Sequence, residues 1–223
     1  MSAGDDAAFR AFVAAQGTGL LRTAHLLTGD PAQAHDLLLS ALDATRRPWV
    51  GPERAARVAR RALLTEHLSW RRRLDVGEVL ADSPLLSGTA GLPGLAAAAP
   101  DRRSPTAAAL ARLPPLTRTV LVLRHGDGLS AEEVAAELAR PVEDVVAAAD
   151  RGLARYAAQT DGGDAEGRLR HDLAVQAAEV TAAPAGLPDQ VLARARGRRR
   201  HRAGLLVVLA FMAAVVLLVA LTV

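Results

Sequence analysis

Six histidines, His25, His35, His67, His125, His171 and His201, are the side chains here best suited to proton transfer or metal ligation near neutral pH. No pair of them shares a metal-ligand spacing on one helix with a carboxylate partner, and the chain has no cysteine. No metal site is therefore expected, and thiol nucleophiles and disulfides are excluded. The glycines of GDG at 126–128 lack the lysine and flanks of a phosphate-cradling loop. Asp30 and Asp36 read as a helix cap and a helix-surface residue, not a catalytic dyad. No nucleophile and base can be assembled, so neither an enzyme nor a cofactor is expected.

What remains is arginine. The chain has no lysine, so all 27 basic residues are arginines, against a formal net charge of only +3. The sequence pI near 10.7 reflects the very high pKa of guanidinium more than a large excess of charge. Position therefore matters more than number, because guanidinium forks suit phosphate wherever they cluster. Arg54, Arg57 and Arg61 recur at three- and four-residue intervals and share one helix face. Arg198, Arg199, Arg200 and Arg202 form a second cluster in GRRRHR, 197–202.

Base reading asks for more than charge, since donors and acceptors must reach the groove edges. The stretch ARPVEDVVAAADRGLARY, 139–156, sits where a reading helix belongs, yet it opens with Glu143, Asp144 and a run of valines and alanines. A helix amino terminus attracts phosphate, and two acids there repel it. From Leu129 to Tyr156 six acids stand against three arginines, Arg140, Arg151 and Arg155. These three are the remaining candidates for DNA contact in this part of the chain.

The elements that must position these residues are helical. Half the chain is hydrophobic but only 3% is aromatic, which points to alanine- and leucine-rich helices and an all-α fold. Residues 1–73 read as one helical domain: an apolar pattern from Phe9 to Leu27, a stop at TGDP (28–31), a second helix capped by Asp30, and a third from Pro52 to about Trp70. Residues 74–106 are rich in glycine, proline, serine and alanine and read as a flexible linker. Residues 107–158 carry a helix-turn-helix. Ser130 with Glu133 forms a capping box, the first helix ends at Leu138, a turn occupies Ala139 to Pro141, and Val134, Ala135, Leu138, Val145 and Leu153 form the expected core. Residues 159–202 form a juxtamembrane segment with short helices at Leu169–Val180 and around Gln190–Arg196.

The run LPPLTRTVLVLRHGDGLSAEEVAAELARPVEDVVAAADRGLARY, 113–156, resembles the second conserved domain of extracytoplasmic-function sigma factors. LLRTAHLLTGDPAQAHDLLLSAL, then RRPW and VARRALLTEHLSWRRR, resembles the first. The resemblance implies that Asp36 and Leu37 lie on a helix that binds core RNA polymerase, and that Arg57, Arg60, Arg61, Trp70, Arg71 and Arg72 lie near promoter DNA. It also shows departures. Leu39 and Ser40 stand where the family carries glutamine and an acid, and Thr65 where it carries asparagine. Val146 and Ala148 take the places of a lysine and an arginine that contact DNA.

Ala203 to Val223 is an uncharged run that, as a helix, spans about 30 Å, the thickness of a bilayer core. With the arginines of 197–202 before it, it reads as a single transmembrane helix holding the body at the cytoplasmic side of the inner membrane, with no outer domain after Val223. Those arginines also suit anionic lipid. The expected protein is a membrane-tethered, sigma-factor-like regulator whose partners are core RNA polymerase, membrane lipid and promoter DNA, the last weakly or not at all through its second domain. The alternative is a degenerate sigma fold that sequesters a regulatory protein at the membrane, as an anti-sigma factor does.

Overall fold

The computed structural model describes residues 3–46, 49, 51–81, 105–160 and 163–194, with side chains over 4–46, 49, 51–69, 106–160 and 163–194. The described residues form helices and no strand, as the composition predicts. Helix α1 (Ala3–Thr28) turns at Gly29, whose φ of 67° lies in the left-handed region that glycine tolerates. Helix α2 (Pro31–Thr45) then starts on the Asp30 cap, whose carboxylate accepts from the Gln33 amide at 2.8 Å. Phe9, Phe12, Leu26 and Leu27 of α1 are buried, as are Ala34, Leu38, Ala41 and Leu42 of α2. Trp49 closes this core, its ring set edge-on to Phe9 and Phe12 at 6.1 and 5.9 Å.

Helix α3 (Pro52–Ala81) packs on both α1 and α2. It buries Ala55, Ala59, Leu63 and Leu64 and leaves Arg54, Arg57 and Arg61 outside. It also runs past the end near Trp70 and into 74–81, which read as linker. Gly77 is the only breaker in that stretch, and one glycine weakens a helix without ending it; the first proline is Pro84.

Helices α4 (Pro105–Ala111) and α5 (Pro115–Leu121) open the second group, so its first helix begins two residues before the expected boundary. A π-helical turn (Val122–Gly126) follows α5 directly. Helix α6 (Ala131–Leu138) starts on the expected capping box: Glu133 N–H donates to Ser130 Oγ at 3.2 Å, and Ser130 N–H donates to the Glu133 carboxylate at 2.7 Å. Ala139 ends α6 in the left-handed region at φ 51°, and the Arg140 amide reaches back to the Ala135 carbonyl at 3.0 Å. This tight reversal launches α7 (Val142–Ala157), the second helix of the helix-turn-helix.

Val134, Ala135 and Val145 are buried as expected, but Leu138 and Leu153 are only half-buried. The inner face of α7 instead consists of Val145, Ala148, Ala149, Gly152 and Tyr156. Small residues win because α7 lies very close to α5: a Cβ built at Gly152 would stand 2.6 Å from Thr117 Cγ2.

Helix α8 (Ala165–Ala178) begins earlier than the Leu169 start read from the sequence. Asp164 caps it by accepting from the Gly167 amide at 2.9 Å. Residues Met1–Ala183 make one compact unit and Pro184–Val223 another. In the second, where a short helix is expected around Gln190–Arg196, residues 187–194, the last ones described, are helical. Among the described residues no helix is long and apolar enough to cross a membrane. Ala203–Val223, read as the membrane span, lies outside the described residues, as do Arg198, Arg199, Arg200 and Arg202.

Candidate nucleic-acid interface

With Val145, Ala148, Ala149, Gly152 and Tyr156 turned inward, the helical repeat leaves Val142, Glu143, Val146, Asp150, Arg151 and Ala154 on the outer face of α7. At its leading end that face offers Val142 at 37% and Val146 at 39% exposure, with Glu143 and Asp144 exposed beside them. Pro141 caps the helix without a side-chain hydrogen bond, and the acids of its first turn, Glu143 and Asp144, dominate the charge at that end. Arg140, Arg151 and Arg155 are exposed, on the turn and along the rear half of the helix.

Ala148 corrects one expectation. The resemblance puts it at a DNA-contacting position, yet it is only 1% exposed and belongs to the core. A contact surface on α7 passes through Val146 and not through residue 148.

On α3 the arginines do form a surface. Arg54, Arg57, Arg60 and Arg61, with Val58, line one wall of an open groove of about 560 Å³; Leu129, Glu133, Ala136 and Glu137, from α6 and the residues before it, line the other. Phosphate is attracted by the first wall and repelled by the second. Thr65 is exposed on the same helix. The side chains of Trp70, Arg71 and Arg72 lie outside the described residues. On α2, Asp36 is exposed while Leu37, at 7%, is turned into the core, so a partner meeting this helix touches Asp36 and leaves Leu37 in a packing role.

Several polar groups that join the helices had no sequence signal. Arg118, 1% exposed, donates from Nη2 to the Leu26 carbonyl at 3.5 Å and so links α5 to α1. Asp127 accepts from the Thr23 hydroxyl at 2.9 Å, and burial raises its carboxyl above the ordinary range despite that bond and the charge of Arg60. Tyr156 donates to Asp172 at 2.7 Å. Burial, with Asp172 adding to it, pushes the Tyr156 phenol up to about 12. Burial also lowers His125, outweighing the Glu166 carboxylate 3.6 Å from its Nδ1. Among the described residues no group of three or more histidines, cysteines or acids is placed to hold a metal.

Residues 105–155, from the start of α4 to the last turn of α7, match the family described as Sigma-70, region 4. An RNA polymerase sigma-E factor of Streptomyces avermitilis is 30% identical over 175 residues, covering 75% of this chain and 93% of that protein. The chain belongs to the extracytoplasmic-function type of RNA polymerase sigma factors. The sigma-E factor of Streptomyces coelicolor is 32% identical over 154 residues, covering 66% of this sigma factor and 82% of its relative. That of Streptomyces antibioticus is 30% identical over 175 residues, covering 75% and 93%. No solved structure gives a significant match. Sigma factors regulate transcription without an enzymatic reaction of their own, and the region-4 match stops at Arg155, before α8.

Proposed function

We propose that this sigma factor binds core RNA polymerase while tethered to the inner face of the cytoplasmic membrane, and that its helix-turn-helix contributes little promoter reading. The observation that carries the reading is the outer face of α7, where Val142, Val146, Glu143 and Asp144 occupy the end that enters a groove. Valine offers at most an apolar contact to a thymine methyl, and the two acids oppose phosphate. The exposed Asp36 of α2 supplies a polymerase-facing position, and the α3 arginines supply a face for a DNA strand. The names of the relatives, RNA polymerase sigma-E factors, support the polymerase as partner. The tether rests on the uncharged run 203–223 and the arginines before it, which also suit anionic headgroups.

A second reading draws on the same face. Val142 and Val146, both more than a third exposed and flanked by acids, suit a protein partner better than DNA, as in a module that sequesters a regulator. Co-elution of the full chain in detergent micelles with purified core polymerase, followed by run-off transcription over a promoter library, separates the two. Co-elution with initiation is expected for a working sigma factor; absence of both leaves the sequestering module.

A further inference from the structure

Between α7 and Ala183 lies a stretch that the region-4 match does not cover, and it touches both helical groups. On the second group, Asp172 accepts from Tyr156 of α7 at 2.7 Å and from Thr106 of α4 at 3.0 Å. Leu173 is fully buried, and a Cβ at Gly126 would lie 3.7 Å from it and 3.0 Å from Leu26 of α1, so both leucines converge on the π turn. On the first group the contacts fall on one face of α1. Glu179 pairs with His25 at 3.2 Å, the Val180 carbonyl accepts from Arg22 Nε at 3.0 Å, and the Ala183 amide donates to Thr18 Oγ1 at 3.1 Å. Residues 18, 22 and 25 stack at intervals of four and three, so the segment after α8 runs back along α1 toward its amino end.

We infer that residues 164–183 form a releasable strap that holds the two helical groups of this sigma factor closed and keeps the arginine face of α3 turned toward acidic α6. This rests on the reading of the α3 arginines as a face for a DNA strand. Closure sets Glu133 and Glu137 across the groove from Arg54, Arg57, Arg60 and Arg61, so the acids of α6 oppose any phosphate that approaches. Beyond α8 the strap holds α1 by three polar contacts, two of them at exposed or half-buried positions where water competes and one reaching from exposed Glu179 to the buried His25. The seam beneath it contains a carboxylate, Asp127, that burial disfavours. A closed state assembled in this way is one that a partner can open.

The absence of cysteine makes the test direct. Thr23 is 6% exposed at the seam, and Thr23→Cys places a single near-isosteric thiol there. In the full chain in detergent micelles this thiol is expected to react slowly with a maleimide. Adding Arg22→Ala and Glu179→Ala, both at exposed positions, is expected to raise the rate roughly tenfold, the effect of losing about two ordinary hydrogen bonds. The same pair without the reporter is expected to raise affinity for a DNA fragment by a similar factor. Hydrogen exchange over 122–129 reads the opening if the cysteine variant fails to fold. An unchanged labelling or exchange rate overturns the strap, and faster labelling with unchanged DNA affinity overturns its inhibitory role. If no form binds DNA, the reading of the α3 face falls while the labelling rate still decides closure.

Discussion

Asp127 and Tyr156 show how single side chains set the pH range of the closed unit. Burial raises the Asp127 carboxyl, so the folded state prefers it protonated more than the unfolded chain does. Stability from this group is fully present below the unfolded carboxylate range near pH 4 and is lost as pH rises through the folded value. Asp127→Asn keeps an acceptor for Thr23 and removes the ionisation. Its melting temperature is expected to exceed the parent's at pH 7 and to converge with it near pH 4; a variant less stable at both values contradicts the argument. Tyr156 acts at the other extreme. With its phenol pushed up to about 12, its contribution is intact below the ordinary tyrosine value near 10 and is lost as pH rises through 12. Tyr156→Phe deletes the bond to Asp172 and is expected to cost about 1–2 kcal/mol at pH 7 while flattening the alkaline limb of a denaturation series. An alkaline limb unchanged in the variant assigns that loss of stability to another group.

At the scale of elements, what could be read in advance was what neighbours in sequence decide. Asp30 before Pro31 and Ser130 before Glu133 specify helix starts with side chains three residues from their targets, and both caps are present. The reversal at Ala139 followed from the same logic. The facing of α7 did not. Leu153 appeared a better core residue than Ala148, yet the approach of α5 at Gly152 admits only small side chains on the buried face, and that distance is a tertiary fact. The π turn was equally hidden, since nothing in VLVLRHG distinguishes it from continuing α-helix. The facing of α7 yields a paired prediction. Val146→Lys, on the exposed face, is expected to change stability by no more than about 0.5 kcal/mol and to add roughly 0.9 to the salt slope of DNA retention, the share of one phosphate contact. Ala148→Arg is expected to destabilise by about 1–3 kcal/mol or more, because the long side chain has no room at a 1% exposed site. Denaturant melts and salt titrations on a common DNA fragment check both. Equal tolerance of the two changes would show that α7 faces otherwise.

For the whole molecule, the sequence divides its charge in a way that the membrane reading turns to use. Net charge is only +3, yet four arginines fall within 197–202, immediately before a run of 21 uncharged residues. An arginine cluster beside such a run orients it, because translocating the cluster is disfavoured and the flank stays in the cytoplasm. In the proposed tethered arrangement the sigma-factor body must lie on that side to meet polymerase, so the proposed topology and the function ask for the same orientation. The cysteine-free background allows this to be read from intact cells whose outer barrier has been removed, using a maleimide that does not cross the inner membrane. Val223→Cys is expected to label from outside, and Gln159→Cys, at an exposed position beyond α7, is expected to label only after lysis. Deleting 203–223 is expected to move the protein from the membrane pellet to the soluble fraction. Replacing Arg198, Arg199, Arg200 and Arg202 with glutamate is expected to weaken retention on anionic vesicles by about 1 kcal/mol per arginine lost and to mix the two orientations. Labelling of Gln159→Cys from outside would place the body where no polymerase exists and sink the tethered-sigma reading; membrane retention after the deletion would move the anchor elsewhere in the chain.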